Sequence, residues 1–168
     1  MLVNRIGWYA IGTYAFLLAA AGCGDDIATR PPGARGGRAL VAAISPKAQW
    51  RATSATMSEP EAAIDSRLQS AAVGPSVPKA ELLIDLGKPC LFNRVILDHG
   101  TNDDEAYPRQ VALQTSMDGR VFYTRKTGLG TRWRTNFSLI TPTTARYVRL
   151  EVIKAGTGSW RIAEVTLE

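Results

Sequence analysis

The stretch of sequence that decides the fold is Leu82-Leu83-Ile84-Asp85-Leu86-Gly87-Lys88-Pro89. Its apolar residues alternate, so Leu82, Ile84 and Leu86 share one face of an extended strand. Gly and Pro are poor strand residues, and the triplet that closes the stretch predicts that the strand stops there. A second strand is predicted over 94–98, where a nearly continuous apolar run is typical of a buried strand.

Outward from this stretch, the chain repeats the pattern of short strands. Residues 109–115 alternate, and Asp118-Gly119 predicts a hairpin turn into a strand at 121–124, because glycine accepts the positive φ that tight turns require. Three more strands are predicted over 136–140, 146–152 and 161–167. The helical signal in this region is one turn at 59–64. Short strands about ten residues apart, without crossover helices, predict an all-β antiparallel sandwich.

The first 22 residues have the features of an export signal. A positive charge at Arg5 precedes an apolar stretch over 6–21, which ends in small residues before Cys23. With a cysteine at the first position after the cut, the segment resembles a bacterial lipoprotein signal, and Cys23 is the predicted lipidation site. Plain cleavage and an uncleaved membrane anchor are the alternatives, and each of the three places the rest of the chain outside the cytoplasm.

Residues 23–43 are predicted to form a disordered linker that begins at the lipid anchor site. They are rich in Gly, Pro and Arg and lack a periodic apolar pattern. The folded domain is predicted to occupy 44–168, a normal length for one domain with one core. By resemblance to the lipoprotein sorting rule of enteric bacteria, an Asp in place of Gly24 would imply retention at the inner membrane, so the predicted location is the cell envelope, with the outer membrane or cell surface favoured.

Charge and cysteine usage exclude several classes of protein. The formal net charge is +5, but there is no run of five or six like charges, so no nucleic-acid partner is expected. If Cys23 carries lipid, Cys90 has no disulfide partner, and its apolar neighbours predict a small buried hydrophobe. A single histidine, no zinc-type spacing and no opposed carboxylate pair predict a protein that is not an enzyme.

Short motifs follow one another through the predicted domain. They are Trp50-Arg51-Ala52-Thr53-Ser54, Pro60 to Asp65, Leu83 to Gly87, Asn93-Arg94-Val95, Tyr107-Pro108-Arg109, Thr115 to Gly119, Ala145 to Leu150 and Trp160 to Val165. In this order and spacing the chain resembles the discoidin, or coagulation-factor type C, domains, and within them the family 32 carbohydrate-binding modules of bacteria. The resemblance implies a galactose-binding-like jelly roll of about eight strands. Trp50 and Trp160 are predicted core aromatics.

The resemblance also implies a structural calcium ion. Asp65, Ser70 and Glu164 match the side-chain ligands of the family, and main-chain oxygens would complete the shell of hard oxygen ligands that Ca²⁺ requires. The sequence departs from the family pattern at Ser66, where a glycine is usual. The alternative interpretation is that Asp65 caps a turn and that Glu164 pairs with an arginine.

Polar loops at one end of the predicted sandwich carry the candidate sugar ligands. Sugar recognition requires planar donors and acceptors for neighbouring hydroxyls and an aromatic face for the ring. The candidates are His99, Asn102, Asp104, Arg109, Trp133 and Asn136. Trp133 is the candidate aromatic face because it lies in a polar loop. The alternatives are that His99 is bonded to backbone, that Arg109 serves structure, and that Asn136 lies on a strand.

Together these features predict a non-catalytic carbohydrate-binding module, tethered to the cell envelope by a lipidated cysteine, that binds a glycan or glycoconjugate. The alternative is an adhesion or assembly domain that contacts an envelope protein or lipid headgroups, as eukaryotic discoidin domains do. A third interpretation is a structural part of an envelope complex.

Overall fold

The computed structural model describes residues 43–100 and 107–168, and its strands all pair in antiparallel fashion. The strands are β1 (Arg51–Thr53), β2 (Ala72–Pro75), β3 (Glu81–Asp98), β4 (Gln110–Ser116), β5 (Tyr123–Leu129), β6 (Arg134–Lys154), β7 (Ser159–Ile162) and β8 (Glu164–Leu167). Two 3₁₀ helices span Lys47–Gln49 and Pro60–Ala63. The predicted all-β class is confirmed. Within the described ranges, no helix has the length and hydropathy needed to cross a bilayer.

Two long strands, β3 and β6, run through both layers of the sandwich. Residues 81–85 of β3 pair with 147–151 of β6 in a layer ordered β1-β3-β6-β4-β5. After shifts in register, residues 94–98 of β3 pair with 134–138 of β6. In this second half, β8 pairs with the other side of β3. The same two strands therefore build part of each layer and hold the layers together.

The core lies between the layers and contains the predicted inward faces. Leu82, Ile84 and Leu86 are fully buried, which confirms the alternation read from the sequence. Trp50 and Trp160 are buried as predicted. Burying one large apolar side chain stabilises a fold by about 1.5–3 kcal/mol, so each of these residues contributes to the stability of the sandwich.

The predicted strand end at Gly87-Lys88-Pro89 is wrong. The strand continues to Asp98, and the triplet produces a register shift between Asp85 and Cys90. Gly87 has a φ of 77°, which only glycine adopts at low cost, and its N–H donates to the Asp85 carboxylate at 2.8 Å. An irregularity of this kind bends a strand without ending it.

Other boundaries also differ from the prediction. The strands predicted at 136–140 and 146–152 are parts of one strand, β6, while the strand predicted at 161–167 divides into β7 and β8. The division follows from pairing, because β7 pairs with β2 and β8 pairs with β3. The helical turn predicted at 59–64 is confirmed as the second 3₁₀ helix. The short strands β1 and β2 had no predicted counterpart.

Cys90 is a buried free cysteine, as its apolar neighbours predicted. Its sulfur lies 3.3 Å from the Ser45 backbone nitrogen, and the Ser45 hydroxyl donates to the Leu86 carbonyl at 2.5 Å. These contacts attach the segment before the first 3₁₀ helix to β3.

Candidate functional site

The loops after β3, β5 and β6 meet at one end of the sandwich, here called the loop end. The Gly130 N–H donates to the Arg109 carbonyl at 3.1 Å. A Cβ placed on Gly130 would lie 1.7 Å from the Pro108 carbonyl oxygen, and one on Gly156 would lie 2.1 Å from the Tyr107 carbonyl oxygen. Real Cβ atoms do not approach this closely, so both positions need glycine for the loops to pack backbone against backbone.

Trp133 presents its ring at the loop end. Its side chain is among the exposed large hydrophobics, at 49% of full exposure, and the Arg132 guanidinium lies 4.5 Å from the ring centroid. Its backbone carbonyl accepts a hydrogen bond of 2.9 Å from the His99 N–H. The ring is therefore accessible, while the chain that carries it is attached to the end of β3.

His99 lies behind this loop and not on its surface. Only 2% of the residue is exposed; Nδ1 lies 2.8 Å from the Arg161 carbonyl oxygen and Nε2 lies 2.9 Å from the Thr135 hydroxyl. Because a carbonyl can only accept, Nδ1 carries the proton and Nε2 accepts from Thr135. Burial lowers the pKa of His99 below its usual value, so the ring is neutral near pH 7.

Both ring nitrogens of His99 thus have partners within the protein. The structure confirms the alternative in which His99 is hydrogen-bonded to backbone, and it leaves the ring no polar atom for a sugar in this arrangement. Because its N–H donates to the Trp133 carbonyl, His99 positions the loop that holds Trp133.

Arg109 joins two loops at the same end. It donates to the Tyr107 hydroxyl at 2.7 Å and to the Thr157 hydroxyl at 3.3 Å, and its guanidinium lies 4.9 Å from the Tyr107 ring centroid. The residue is partly exposed. Tyr107 is a member of this site that the sequence interpretation passed over, although the Tyr-Pro-Arg motif was the available signal.

The remaining sugar candidates are placed differently. Asn136 is exposed on β6, opposite Ile96 of β3, two residues inside the strand that begins at Arg134. It lies on the outer face of a sheet and not in a loop. This is the strand placement that the alternative interpretation gave. Asn102 and Asp104, together with Cys23, lie outside the described residues. The loop end therefore brings together Trp133 and Arg109, with His99 beneath them.

Two of the three predicted calcium ligands lie side by side. The Ser70 hydroxyl donates to the Asp65 carboxylate at 2.7 Å, and the other Asp65 oxygen accepts from the Arg67 N–H at 2.8 Å. Asp65 therefore caps a turn, as the alternative interpretation had it. Ser66, at the position where the family has glycine, keeps a left-handed conformation with a φ of 64°.

The carboxylate of Glu164 contacts a side-chain cation of the protein itself. Its Oε1 contacts the Lys47 ammonium, which also lies 5.7 Å from the Trp50 ring centroid. The alternative interpretation, in which Glu164 pairs with an arginine, is therefore wrong about the partner, which is Lys47. The second carboxylate oxygen, Oε2, is buried and has no hydrogen-bond partner among the described residues.

The fit of a calcium ion to these residues is partial. A buried carboxylate oxygen without a partner is the kind of atom that a cation satisfies. Lys47 already brings one positive charge to Glu164, however, and the described parts of the chain hold no group of three or more His, Cys, Asp or Glu that could bind a metal. A calcium ion would have to compete with the Lys47 ammonium, and calcium binding stays a prediction.

Comparisons with known proteins agree with the fold described above. A family profile described as F5/8 type C domain matches residues 41–165. Among solved structures, the carbohydrate-binding module CpGH89CBM32-5 from Clostridium perfringens, in complex with GalNAc-beta-1,3-galactose, is 17% identical with a TM-score of 0.66 and covers 73% of this chain and 96% of its own. The family 32 module of C. perfringens NanJ, in complex with galactose, is 18% identical with a TM-score of 0.66 and covers 75% and 97%.

A third similar structure is chitosan-binding module 1 from a chitosanase/glucanase of Paenibacillus sp. IK-5, which is 22% identical with a TM-score of 0.59 and covers 70% of this chain and 92% of that one. No curated protein sequence matches the chain. Identities this low establish a shared fold, whereas the family profile spans most of the sequence. The chain belongs to the F5/8 type C domain family.

Proposed function

We propose that this protein is a non-catalytic carbohydrate-binding module that holds a glycan or glycoconjugate at its loop end. The observation that carries the proposal is the half-exposed ring of Trp133, anchored through its backbone to His99. Support also comes from modules of the same fold that were solved with galactose and with GalNAc-beta-1,3-galactose.

The chemistry of such a site follows from its side chains. The face of Trp133 packs against the C–H side of a sugar ring, which removes apolar area of both partners from water. Arg109 is partly exposed and donates to neighbouring sugar hydroxyls through its planar fork of N–H groups. Asn102 and Asp104, which precede Arg109 in the same loop sequence, are proposed as further hydrogen-bonding partners, and Asn136 as a contact at the edge of the site.

We also propose that the protein is attached to the cell envelope. Lipidation of Cys23 would hold the module at the cell envelope, and residues 23–43 would separate it from the bilayer. Fatty-acid labelling of the full chain tests this step: label should be incorporated into the native protein and absent from Cys23→Ser. Equal labelling of both proteins would reject the anchor and leave the binding proposal intact.

The binding test is a glycan array with the full chain, followed by calorimetric titration of the best glycan. Trp133→Ala should weaken binding by roughly tenfold or more, because buried aromatic anchors dominate binding sites of this kind. The control is Lys88→Ala, which removes an exposed side chain at the register shift of β3, away from the loop end, and should leave this affinity unchanged. Equal affinity of the native protein and Trp133→Ala would reject the site.

A second candidate function is binding to lipid headgroups. The observation that favours it is a pair of exposed apolar residues at the loop end, Leu129 at 75% and Trp133 at 49% of full exposure. Sedimentation with vesicles of zwitterionic and anionic lipid separates the two functions. Vesicle binding that Leu129→Ser abolishes, without any glycan binding, would replace the carbohydrate proposal.

A further inference from the structure

A cleft lies along the open edge of the sandwich, away from the loop end. β5 is the outermost strand of the five-stranded layer, and residues 134–138 of β6 pair with β3 alone in the other layer. Between these two edges is a cavity of about 490 Å³. It is lined by Arg125, Lys126 and residues 138–143.

A neighbouring cavity lies toward the far end of the molecule. This second cavity, of about 360 Å³, is lined by Thr115, Ser116, Met117, Asp118, Val121, Tyr123, Arg125 and Thr144. Arg125 lines both cavities, so the two are neighbours, and together they are here called the edge cleft.

An irregularity in β5 directs two cations into the edge cleft. On β4, Gln114 pairs with Thr124 and Leu113 pairs with Lys126, so Arg125 is an extra residue with no partner. Consecutive residues of a regular strand point to opposite faces, whereas a bulge changes the direction of a side chain. Arg125 and Lys126 can therefore line the same cavity.

Both cations are held in place without an acidic partner. Arg125 Nε donates to the Thr115 hydroxyl at 2.6 Å, and the guanidinium lies 5.7 Å from the Tyr123 ring centroid. Lys126 Nζ donates to the Ser138 carbonyl at 2.8 Å. No carboxylate among the described residues forms an ion pair with either side chain, although Lys47, Arg94, Arg134, Arg146 and Arg149 each have one.

The acidic residue that lines the cleft is already satisfied by its own turn. Asp118 Oδ1 accepts from the N–H groups of Arg120 and Val121 at 2.9 and 3.0 Å and from the Ser116 hydroxyl at 2.9 Å. These hydrogen bonds lower the pKa of Asp118 to about 2. Asp118 is therefore ionised near pH 7 and held by its own turn, and the two cations Arg125 and Lys126 still leave the lining of the cleft with a net positive charge.

We propose that the edge cleft is a second binding site, specific for an acidic polysaccharide chain such as one built from uronic acids. The proposal deepens the carbohydrate-binding function and adds a site distinct from the loop end. Tyr123, 60% exposed, provides the aromatic face, and the hydroxyls of Thr141, Thr143 and Thr144 provide hydrogen bonds. Arg125 and Lys126 pair with the carboxylates of the sugar chain.

An acidic peptide is the other ligand with this charge, but the geometry favours a glycan. A peptide would bind by adding a strand to β5, which requires a continuous row of backbone hydrogen bonds. The bond from Lys126 to the Ser138 carbonyl crosses the gap between β5 and β6, and the bulge at Arg125 interrupts the regular spacing of the strand. A sugar chain that lies on side chains needs neither a free strand edge nor regular spacing.

The test uses the full chain and two forms of one polymer, polygalacturonate and its fully methyl-esterified form. Polygalacturonate should bind and the ester should not, and binding should weaken as salt is raised, because the contacts are between charges. The double variant Arg125→Gln/Lys126→Gln should lose roughly tenfold or more in affinity, since hydrogen bonds to charged groups are the stronger ones. The matched control, Arg51→Gln/Lys88→Gln, removes the same charge from exposed positions outside the cleft and should bind normally.

The outcomes separate this site from the loop end. Trp133→Ala should leave polygalacturonate binding unchanged even where it abolishes binding of a neutral sugar, and Tyr123→Ala should do the reverse. Equal binding of the acid and its ester, or equal losses in the cleft and control variants, would overturn the edge cleft and leave the loop-end function standing. Stronger binding of a polyglutamate peptide, lost in the cleft variant, would assign the cleft to an acidic peptide instead.

Discussion

His99→Gln tests how the buried histidine supports the loop end. His99 is the one histidine of the chain, and it faces the Arg161 carbonyl, the Thr135 hydroxyl and, at 6.3 Å between ring centroids, Tyr107. Burial lowers its pKa and outweighs the hydrogen bond to the Arg161 carbonyl and the nearby Asp98 carboxylate, which both act in the opposite direction. The native protein should therefore be less stable in mild acid, because the buried ring resists protonation.

The sign and the size of the effect follow from proton linkage. The unfolded chain protonates His99 near its usual pKa of about 6.5, whereas the folded protein does so at lower pH. Between the two values the unfolded state holds the extra proton, so the free energy of unfolding falls as the pH is lowered. The limiting slope for one group is about 1.4 kcal/mol per pH unit. Above about pH 6.5 the slope from His99 disappears.

Urea unfolding followed by tryptophan fluorescence, from about pH 5 to pH 7.5, measures this slope. Among the described residues, two carboxylates have a lowered pKa, Asp85 and Asp118, and they lose their stabilisation only as the pH falls below their unfolded values, under this window. His99→Gln should cost about 1–3 kcal/mol at pH 7.5 through lost hydrogen bonds, and its stability should not change between about pH 5 and pH 6.5. A slope in His99→Gln equal to that of the native protein would refute the reasoning.

Three further predictions concern single positions. Ser66→Gly should raise the free energy of unfolding by about 1 kcal/mol, because Ser66 has a φ of 64° that glycine adopts freely. Thermal unfolding measures the gain, and the control Ser66→Ala should show none. Gly130→Ala should lower the melting temperature and weaken sugar binding, because its Cβ would lie 1.7 Å from the Pro108 carbonyl oxygen; an unchanged melting temperature would count against the loop packing. Lys47→Met removes the ammonium beside Glu164. Added calcium should therefore raise the melting temperature of this variant more than that of the native protein, and a chelator should reverse the gain. No response in either protein would reject the calcium site.

Local pattern was enough to predict the sandwich and the inward face of the first part of β3. Alternation at Leu82, Ile84 and Leu86 identifies the buried side of β3, because neighbouring side chains of a strand must point to opposite faces. Alternation does not show whether the strand ends at Gly87 or continues past it. A glycine and a proline signal an interruption, but whether a strand ends there or shifts its register depends on its partner, which is β6.

Side-chain chemistry at the candidate sites was predicted less well, and His99 shows why. A polar residue just after a strand is typical of a functional loop, and its sequence neighbours carry no sign of the two partners that enclose the ring. Arg161 and Thr135 lie 62 and 36 residues away along the chain. Trp133, in contrast, was predicted as an accessible aromatic and is exposed.

By itself, the sequence determined the class of fold, the inward face of the first part of β3, the buried state of Cys90, Trp50 and Trp160, and the family to which the chain belongs. These features depend on residues close together along the chain or on motifs in a set order. Only the tertiary structure decided that His99 lies beneath Trp133, that Lys47 contacts Glu164, and that Arg125 and Lys126 share a cleft. Each of these depends on the register and contact of segments distant in sequence, which no local pattern encodes.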